Sequence, residues 1–411
     1  MSFLRLACSL LLLGTAVPLL GEDWPWWRGP DRNGVSDDSR LPPLDLSEEK
    51  NLLWSVELAG RSHGSPIVVG DQVILAIADV ENQKQLLQSY HRESGKEQWT
   101  AVIHENGMTQ KSNKKASWAS STPACVGDRV FISFVAGDAA WTTAVDRKTG
   151  NQIWQSKICD YKIHQGYGSS PLIFEDTVIV SADNKRGGAV VSFDQATGEE
   201  NWRVDRNKMP NYPSPILLEA AGKLQLFLTG TERVTSIDPT SGEILWEIEG
   251  ATTECVTTTV TDGTHIYSSG GYPRNHVAAI KADGSGEIAW ETNDRVYVPS
   301  MLIHEGHLYA VMDSGVGICW DAATGEEKWK ARIGGTFSAS PALVGDQIFA
   351  VNEAGELTVF RARPDELEIL AKSKVGDEVF ATPTICDGRI YLRPAFYQGE
   401  NRSEKLMVYG N

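Results

Sequence analysis

The sequence lacks the paired cysteines that mark disulfide frameworks, zinc sites and haem attachment. Only six of its 411 residues are cysteine, and none of them belongs to a Cys-x-x-Cys motif or an adjacent pair. Five follow the N-terminal region, mostly in apolar, strand-like segments: Cys125, Cys159, Cys255, Cys319 and Cys386. We therefore expect small buried thiols and no metal or redox site.

Long apolar runs and excess positive charge are also missing. The one extended apolar stretch, 6–20, is short for a membrane span and follows Arg5, which is typical of a secretory signal peptide. We assign 1–21 to this peptide and expect a secreted or periplasmic protein without a transmembrane span. Cys8 precedes most of the apolar stretch, which disfavours a lipid anchor. The net charge of −16 argues against a nucleic-acid partner.

Two short signatures alternate along the chain, and the first begins with Ser or Thr, usually followed by Pro. An apolar run with a Gly-Asp or Asp-Gly turn comes next. Eight such starts occur, roughly 44 residues apart: Ser65, Thr122, Ser170, Ser214, Thr257, Ser300, Ser340 and Thr382. This spacing is typical of the four-stranded blades of a β-propeller.

The second signature is Asp-x-x-Thr/Ser-Gly-x-x-x-Trp. Four copies match fully: Asp146 to Trp154, Asp194 to Trp202, Asp238 to Trp246 and Asp321 to Trp329. Asp can accept hydrogen bonds from the turn backbone, Gly can adopt a positive φ, and Trp anchors the strand that follows. These aspartates are therefore interpreted as turn formers and not as catalytic carboxylates.

The repeats predict an all-β protein, an eight-bladed β-propeller of four-stranded antiparallel blades spanning 52–411, after a tryptophan-rich lead-in, 22–51. Trp54 has no blade start before it, whereas the last start, Thr382, has no Trp after it. We infer that the N-terminal strand, Leu52 to Leu58, completes the last blade and so covers an open sheet edge. The seventh blade is degenerate, with Ile369 near the expected Trp position.

The combined signatures resemble the PQQ-type repeat, which occurs in quinoprotein dehydrogenases and in BamB-like assembly scaffolds. This resemblance covers roughly 52–410 and implies the propeller fold, but the family contains both enzymes and non-enzymatic proteins. The lead-in, with Trp24, Trp26 and Trp27, resembles that of secreted PQQ-like propellers of planctomycete-type bacteria. We expect these tryptophans to pack on the propeller exterior, with partner binding as the alternative.

The enzymatic branch of the family implies further elements. Quinoprotein alcohol dehydrogenases typically carry a vicinal disulfide, a calcium set of Glu, Asn and Asp, a catalytic Asp and a longer chain. This sequence has no adjacent cysteines, and its candidate calcium ligands have no diagnostic spacing: Glu254, Asn293, Asp294 and Asp313. We assign no catalytic residue and no metal ligand, and expect no cofactor. PQQ and calcium remain the cofactors implied by the alternative.

The connectors that enter the innermost strands converge on one mouth of a propeller channel, so they are the best place for a ligand site. Seven of the eight carry an aromatic residue or His just before the blade start, and the fifth carries Glu254 instead. The ring comprises His63, Trp118, Tyr167, Tyr212, Tyr297, Phe337 and Phe380, with His164 beside Tyr167. Such a ring can stack on a ligand, or it can pack between blades.

The same connectors hold several basic residues, which is notable in so acidic a protein. Those we assign to the mouth are Arg61, Lys114, Arg206 and Arg295. Concentrated there, they would attract an anionic ligand. Alternatively, they form an ordinary solvated loop surface.

Together these features predict a monomeric, non-catalytic propeller that binds a partner protein, peptide or carbohydrate at one channel mouth. The alternative is a divergent PQQ- and calcium-dependent quinoprotein dehydrogenase.

Overall fold

The computed structural model describes residues 23–109 and 113–411, so the predicted signal peptide lies outside the described residues. The described residues form 34 strands and no helix. They are arranged as eight blades, which confirms the predicted eight-bladed propeller. Since no helix occurs among them, the described residues contain no helical membrane span.

Two short strands precede the first blade, namely β1 (Val35–Ser36) and β2 (Leu52–Glu57). Blades 1 to 3 are four-stranded antiparallel sheets whose strands follow chain order. Blade 1 contains β3 (Ile67–Val69), β4 (Gln72–Asp79), β5 (Lys84–His91) and β6 (Glu97–Glu105); blade 2 contains β7 (Ala124–Val126), β8 (Arg129–Ala136), β9 (Ala139–Asp146) and β10 (Gln152–Asp160); blade 3 contains β11 (Leu172–Phe174), β12 (Thr177–Ser181), β13 (Gly188–Asp194) and β14 (Glu200–Arg206).

Blades 4 to 6 repeat this order. Blade 4 contains β15 (Ile216–Ala220), β16 (Lys223–Gly230), β17 (Arg233–Ile237) and β18 (Ile244–Glu249); blade 5 contains β19 (Val260–Thr261), β20 (His265–Gly270), β21 (His276–Lys281) and β22 (Ile288–Thr292); blade 6 contains β23 (Leu302–His304), β24 (His307–Val311), β25 (Val316–Asp321) and β26 (Glu327–Arg332). The first strand of each blade lies innermost, against the first strands of its neighbours.

The last two blades receive strands from the N-terminal region. Blade 7 contains β27 (Ala342–Val344), β28 (Gln347–Val351), β29 (Glu356–Arg361) and β30 (Ile369–Lys374), and β1 pairs in parallel with β27. Blade 8 contains β31 (Thr384–Cys386), β32 (Arg389–Leu392) and β34 (Asn401–Gly410), with β33 (Ala395–Gln398) forming a hairpin on β34. The outer strand of blade 8 is β2, antiparallel to β34, which confirms the predicted closure.

Trp329 of blade 6 faces a turn without glycine and donates its indole N–H to the Arg363 carbonyl, whereas the signature tryptophans of blades 2, 3 and 4 each pack against a turn glycine of the next blade. Trp202, for example, is 9% exposed and donates its indole N–H to the Pro239 carbonyl at 3.1 Å. Gly242 follows in that turn with φ +76°, and a Cβ there would lie 2.7 Å from the Trp202 ring. The glycine is therefore required both by its backbone conformation and by the tryptophan above it.

The signature aspartates, which we call the turn aspartates, do form the turns. Asp194 accepts hydrogen bonds from the Thr197 main chain at 2.8 Å and from the Thr197 hydroxyl at 3.0 Å. These hydrogen bonds lower the pKa of the Asp194 carboxyl. His91, which replaces Asp in blade 1, lies 3.1 Å from the Ser94 hydroxyl in the equivalent turn.

Two details of the repeat alignment need correction. The fifth blade start is Thr258 and not Thr257, because the Thr258 N–H bonds to the hydroxyl of Ser300, the next blade start. In blade 7, Ala371 pairs with Val359 in the register that Trp329 occupies in blade 6, so Ile369 lies two positions earlier and is 42% exposed.

Candidate binding site at the channel mouth

The hydroxyls at the blade starts form a ring around the channel. Six of the eight accept a hydrogen bond from the main-chain N–H of the preceding blade start, as Thr122 does from Ser65 at 3.0 Å. The same bond, at 2.9 to 3.0 Å, is received by Ser170, Ser214, Ser300, Ser340 and Thr382. These six residues and Thr258 form what we call the hydroxyl ring. The bonds explain why the blade starts keep Ser or Thr even where proline is absent.

The tryptophan segment of the lead-in, 24–27, lies inside the ring of inner strands, so the expectation that these tryptophans pack on the exterior is wrong. Trp24 exchanges two main-chain hydrogen bonds with Val68 of β3, at 2.8 and 3.0 Å. The Pro25 carbonyl accepts the N–H of Cys125 in β7. Trp27 reaches the hydroxyl ring, where its indole N–H donates to Thr258 Oγ1 at 3.0 Å. This segment and Arg28 therefore fill part of the channel, and we call them the plug.

The plug carries a buried arginine. Arg28 is 1% exposed, and its Nη2 donates to the carbonyls of both Asn33 and Met301 at 2.5 Å. Its Nε and Nη1 contact no hydrogen-bond acceptor, and no carboxylate of the described residues forms an ion pair with it. Burial lowers the pKa of Arg28 to about 9, so the guanidinium remains charged at neutral pH.

Above the plug, the channel mouth contains a cavity of about 420 Å³. Trp27 forms part of its lining together with the hydroxyl ring and Ser120 and Ser338. None of the described residues that line the cavity is Asp, Glu or Cys. The walls also include aromatic, amide and cationic side chains: His63, Tyr167, Tyr212, Tyr297, Phe380, Asn113, Gln165 and Lys115.

The aromatic residues expected at the mouth divide into two groups. His63, Tyr167, Tyr212, Tyr297 and Phe380 line the cavity, and His63 stacks on Phe380 with ring centroids 4.4 Å apart. The other two, Trp118 and Phe337, are absent from the lining.

Trp118 donates its indole N–H to the Thr109 carbonyl at 2.7 Å and packs beside the core between blades 1 and 2. Phe337 is 1% exposed and packs in the core between blades 6 and 7. Both therefore contribute to packing between blades.

A polar cluster borders the cavity where blades 3, 4 and 5 meet. His164 Nδ1 lies 3.3 Å from the Tyr212 hydroxyl and 3.8 Å from a Glu254 carboxylate oxygen. Burial, assisted by Lys185, lowers the pKa of His164, and burial, assisted by Glu254, raises that of Tyr212. Both His164 and Tyr212 are therefore neutral at neutral pH.

The cations assigned to the mouth are mostly engaged by the protein. The Arg206 side chain is 8% exposed and pairs with Asp183 at 3.2 Å. Arg61 lies 3.9 Å from a Glu378 oxygen, with its Nε 3.4 Å from His63.

Arg295 also uses its charge within the fold, since it donates to the Gly271 carbonyl at 2.6 Å and lies 4.9 Å above the Tyr297 ring. That ring, half-buried beside Glu254, has its pKa raised to about 12. Lys114 is exposed. The mouth thus offers less free positive charge than the sequence suggested.

Several lining residues were not singled out as ligand contacts from the sequence. Lys115 reaches across the mouth to both carboxylate oxygens of Glu353 at 2.8 Å, and Ser338 donates to the same carboxylate at 2.6 Å. The hydroxyl ring was visible as a repeat but was interpreted only as a set of blade starts. Trp27 carried no signal for its position, because it belongs to no repeat.

Comparison with known proteins places the chain in a family. The family model described as outer membrane protein assembly factor BamB matches 44–166, 83–304 and 273–364, segments that overlap and together span most of the chain. The chain belongs to this BamB family. BamB of Moraxella catarrhalis has a similar fold, with a TM-score of 0.62 at 14% identity over 88% of this chain and 97% of that one.

Enzymes are also among the similar proteins. A europium-containing methanol dehydrogenase has a TM-score of 0.56 at 12% identity, covering 95% of this chain and 98% of that one. The 1-butanol dehydrogenase (quinone) of Thauera butanivorans is 27% identical over 40% of this chain and 27% of its own length. The polyvinylalcohol dehydrogenase of a Sphingopyxis species is 24% identical over 49% and 31%, respectively. The chain thus matches under a third of the length of these two curated relatives.

Proposed function

We propose that this BamB-family protein is a non-catalytic, secreted or periplasmic propeller that binds a partner protein, peptide or carbohydrate at its channel mouth. The observation that carries this proposal is the cavity, which is concave, partly aromatic and closed on one side by Trp27. Its volume of about 420 Å³ lies within the range of small-ligand sites. The family description, which names an assembly factor, supports a binding role.

The alternative is a PQQ- and calcium-dependent dehydrogenase. The names of the two curated relatives favour a dehydrogenase, and one of them specifies a quinone. Calcium requires several oxygen ligands, usually including carboxylates, but no described lining residue is acidic. The described residues contain no group of three or more His, Cys, Asp or Glu placed to hold a metal ion.

Two of the four candidate ligands from the sequence are used elsewhere in the fold. Asp294 pairs with Lys330 at 2.6 Å, and Asp313 accepts the Tyr297 N–H at 2.9 Å. The residues present therefore do not fit a calcium–quinone centre at this mouth, and we derive no redox step from it.

Titration of the purified protein with PQQ and calcium tests the choice between binding protein and dehydrogenase. We expect no calcium-dependent shift of the quinone absorbance and no dye-linked alcohol oxidation. A tight, stoichiometric shift accompanied by turnover would establish the enzymatic alternative instead.

Peptide and glycan arrays test where ligands bind. Phe380→Ala removes a ring from the cavity wall, whereas Ile369→Ala removes an exposed side chain from an outer strand. We expect bound array members to be retained by the wild type and by Ile369→Ala but lost from Phe380→Ala. Equal retention by both variants would move the ligand site away from the mouth.

A further inference from the structure

The hydroxyl ring has hydrogen-bonding capacity that the fold does not use. Each of its seven hydroxyls accepts one bond, from a main-chain N–H or from the Trp27 indole. Within the described part of the chain, none of them donates a hydrogen bond. A hydroxyl has one O–H donor besides its lone pairs, so these donors are available to a group in the channel.

All seven hydroxyl residues line the same cavity, and they come from seven different blades. Their O–H groups are therefore distributed around one small volume instead of along one wall. A hydroxyl that accepts a hydrogen bond is polarised and donates more strongly. The ring is thus suited to a group that accepts several hydrogen bonds at once, such as the oxygens of a carboxylate or a phosphate.

The charge around the ring favours an anion over a neutral group. Arg28 follows Trp27 directly, and its guanidinium bonds to the Met301 carbonyl, one residue beyond Ser300 of the ring. This buried charge has no carboxylate partner among the described residues. No acidic side chain of those residues lines the cavity, and Glu353 at its border is paired with Lys115. Buried charges are usually compensated, so a nearby anion would relieve this one.

We propose that the hydroxyl ring above Trp27 binds the oxyanion of a ligand, a carboxylate or a phosphate, within the field of Arg28. This inference rests on the proposed function, since it identifies the chemical group that the mouth receives. The sequence predicted that cations at the rim of the mouth attract an anion, but Arg206 and Arg295 are engaged in the fold. The proposed anion site therefore lies inside the channel and not at the rim.

The test uses three probes and the full-length protein. Acetate and inorganic phosphate represent the two oxyanions, and acetamide is a neutral molecule of nearly the same shape as acetate. Binding is followed by calorimetry and ligand-observed NMR. We expect saturable binding of an oxyanion and none of acetamide, with the tighter oxyanion identifying the ligand as a carboxylate or a phosphate. If acetamide binds as well as acetate, or neither oxyanion binds, the proposal is overturned.

A matched pair of variants locates the bound anion. Thr258→Val removes a hydroxyl of the ring, whereas Thr257→Val removes the neighbouring buried hydroxyl, which donates to the Ser269 carbonyl away from the cavity lining. Losing one hydrogen bond to a charged group should weaken oxyanion binding about tenfold in Thr258→Val. Thr257→Val should bind as the wild type, and Thr258→Ser should restore affinity.

A second hydroxyl of the ring provides an independent test in case Thr258→Val does not fold. Thr382→Val removes a ring hydroxyl from blade 8 and should weaken binding similarly. Unchanged affinity in a folded Thr258→Val or Thr382→Val protein would overturn the proposal. The proposed function would survive that outcome if array ligands were still lost from Phe380→Ala, so the two failures are distinguishable.

Discussion

The contact between the signature tryptophan of blade 3 and the turn glycine of blade 4 can be tested by Gly242→Ala. This substitution places a methyl group at φ +76°, where the left-handed conformation costs an L-residue about 1–2 kcal/mol. The new Cβ also lies 2.7 Å from the Trp202 ring, and such overpacking typically costs about 1–3 kcal/mol. We therefore expect the free energy of unfolding to fall by about 2–5 kcal/mol.

The same blade provides the control. Gly222 has φ +69°, but a Cβ there meets no atom within 4 Å. Gly222→Ala should therefore lose only the conformational part, about 1–2 kcal/mol. Urea unfolding followed by tryptophan fluorescence and circular dichroism compares the two midpoints. Equal losses in both variants would show that tryptophan packing on the turn glycine contributes nothing to stability.

Three further predictions concern charge. Glu404→Gln should lower the free energy of unfolding by about 3–5 kcal/mol, because it removes the charged partner of Arg393, which is buried and joins blade 8 to blade 1. Glu93→Gln breaks a surface pair with Arg389 and should lower it by less than about 1 kcal/mol. Arg206→Ala should lower the melting temperature, because it leaves the buried Asp183 carboxylate without its partner, while Lys114→Ala should leave the melting temperature nearly unchanged. Equal effects of the two substitutions would contradict a stabilising Arg206–Asp183 pair. The turn aspartates Asp146, Asp194 and Asp321 have a lowered pKa in the fold, so the stabilisation from these three is present above the ordinary carboxyl pKa and should be lost as pH falls below about 4; a flat urea midpoint there would argue against it.

The blade number and the closure were predictable because each depends on local chemistry repeated along the chain. The hydroxyl at the blade start, the turn aspartate and the docking tryptophan each require a particular residue type, so the repeat can be recognised in the sequence. The predicted blade start was wrong by one residue in blade 5, because Thr257 and Thr258 are adjacent and no proline distinguishes them. The expected tryptophan position was wrong by two residues in blade 7, because Ala371 stands where a tryptophan would have marked the register.

The site was harder to predict because it depends on side-chain direction and on contacts between distant residues. Phe337 and Phe380 both precede a blade start, yet one is buried between blades and the other lines the cavity. Arg206 belongs to a connector of the expected kind but turns toward Asp183. Trp27 meets Thr258 from 231 positions away, a contact that no repeat signals.

The plug changes what the channel can receive. An open propeller channel permits an extended chain to thread through it, but Trp27 closes the cavity on the side away from the mouth. A ligand must then enter and leave by the same opening, with one end against the hydroxyl ring and the remainder among the aromatic residues. We therefore expect recognition of a terminal or protruding group, because an internal stretch of a polymer has no such end to insert. The blade starts that hold neighbouring blades together would then also supply the donors that receive that group.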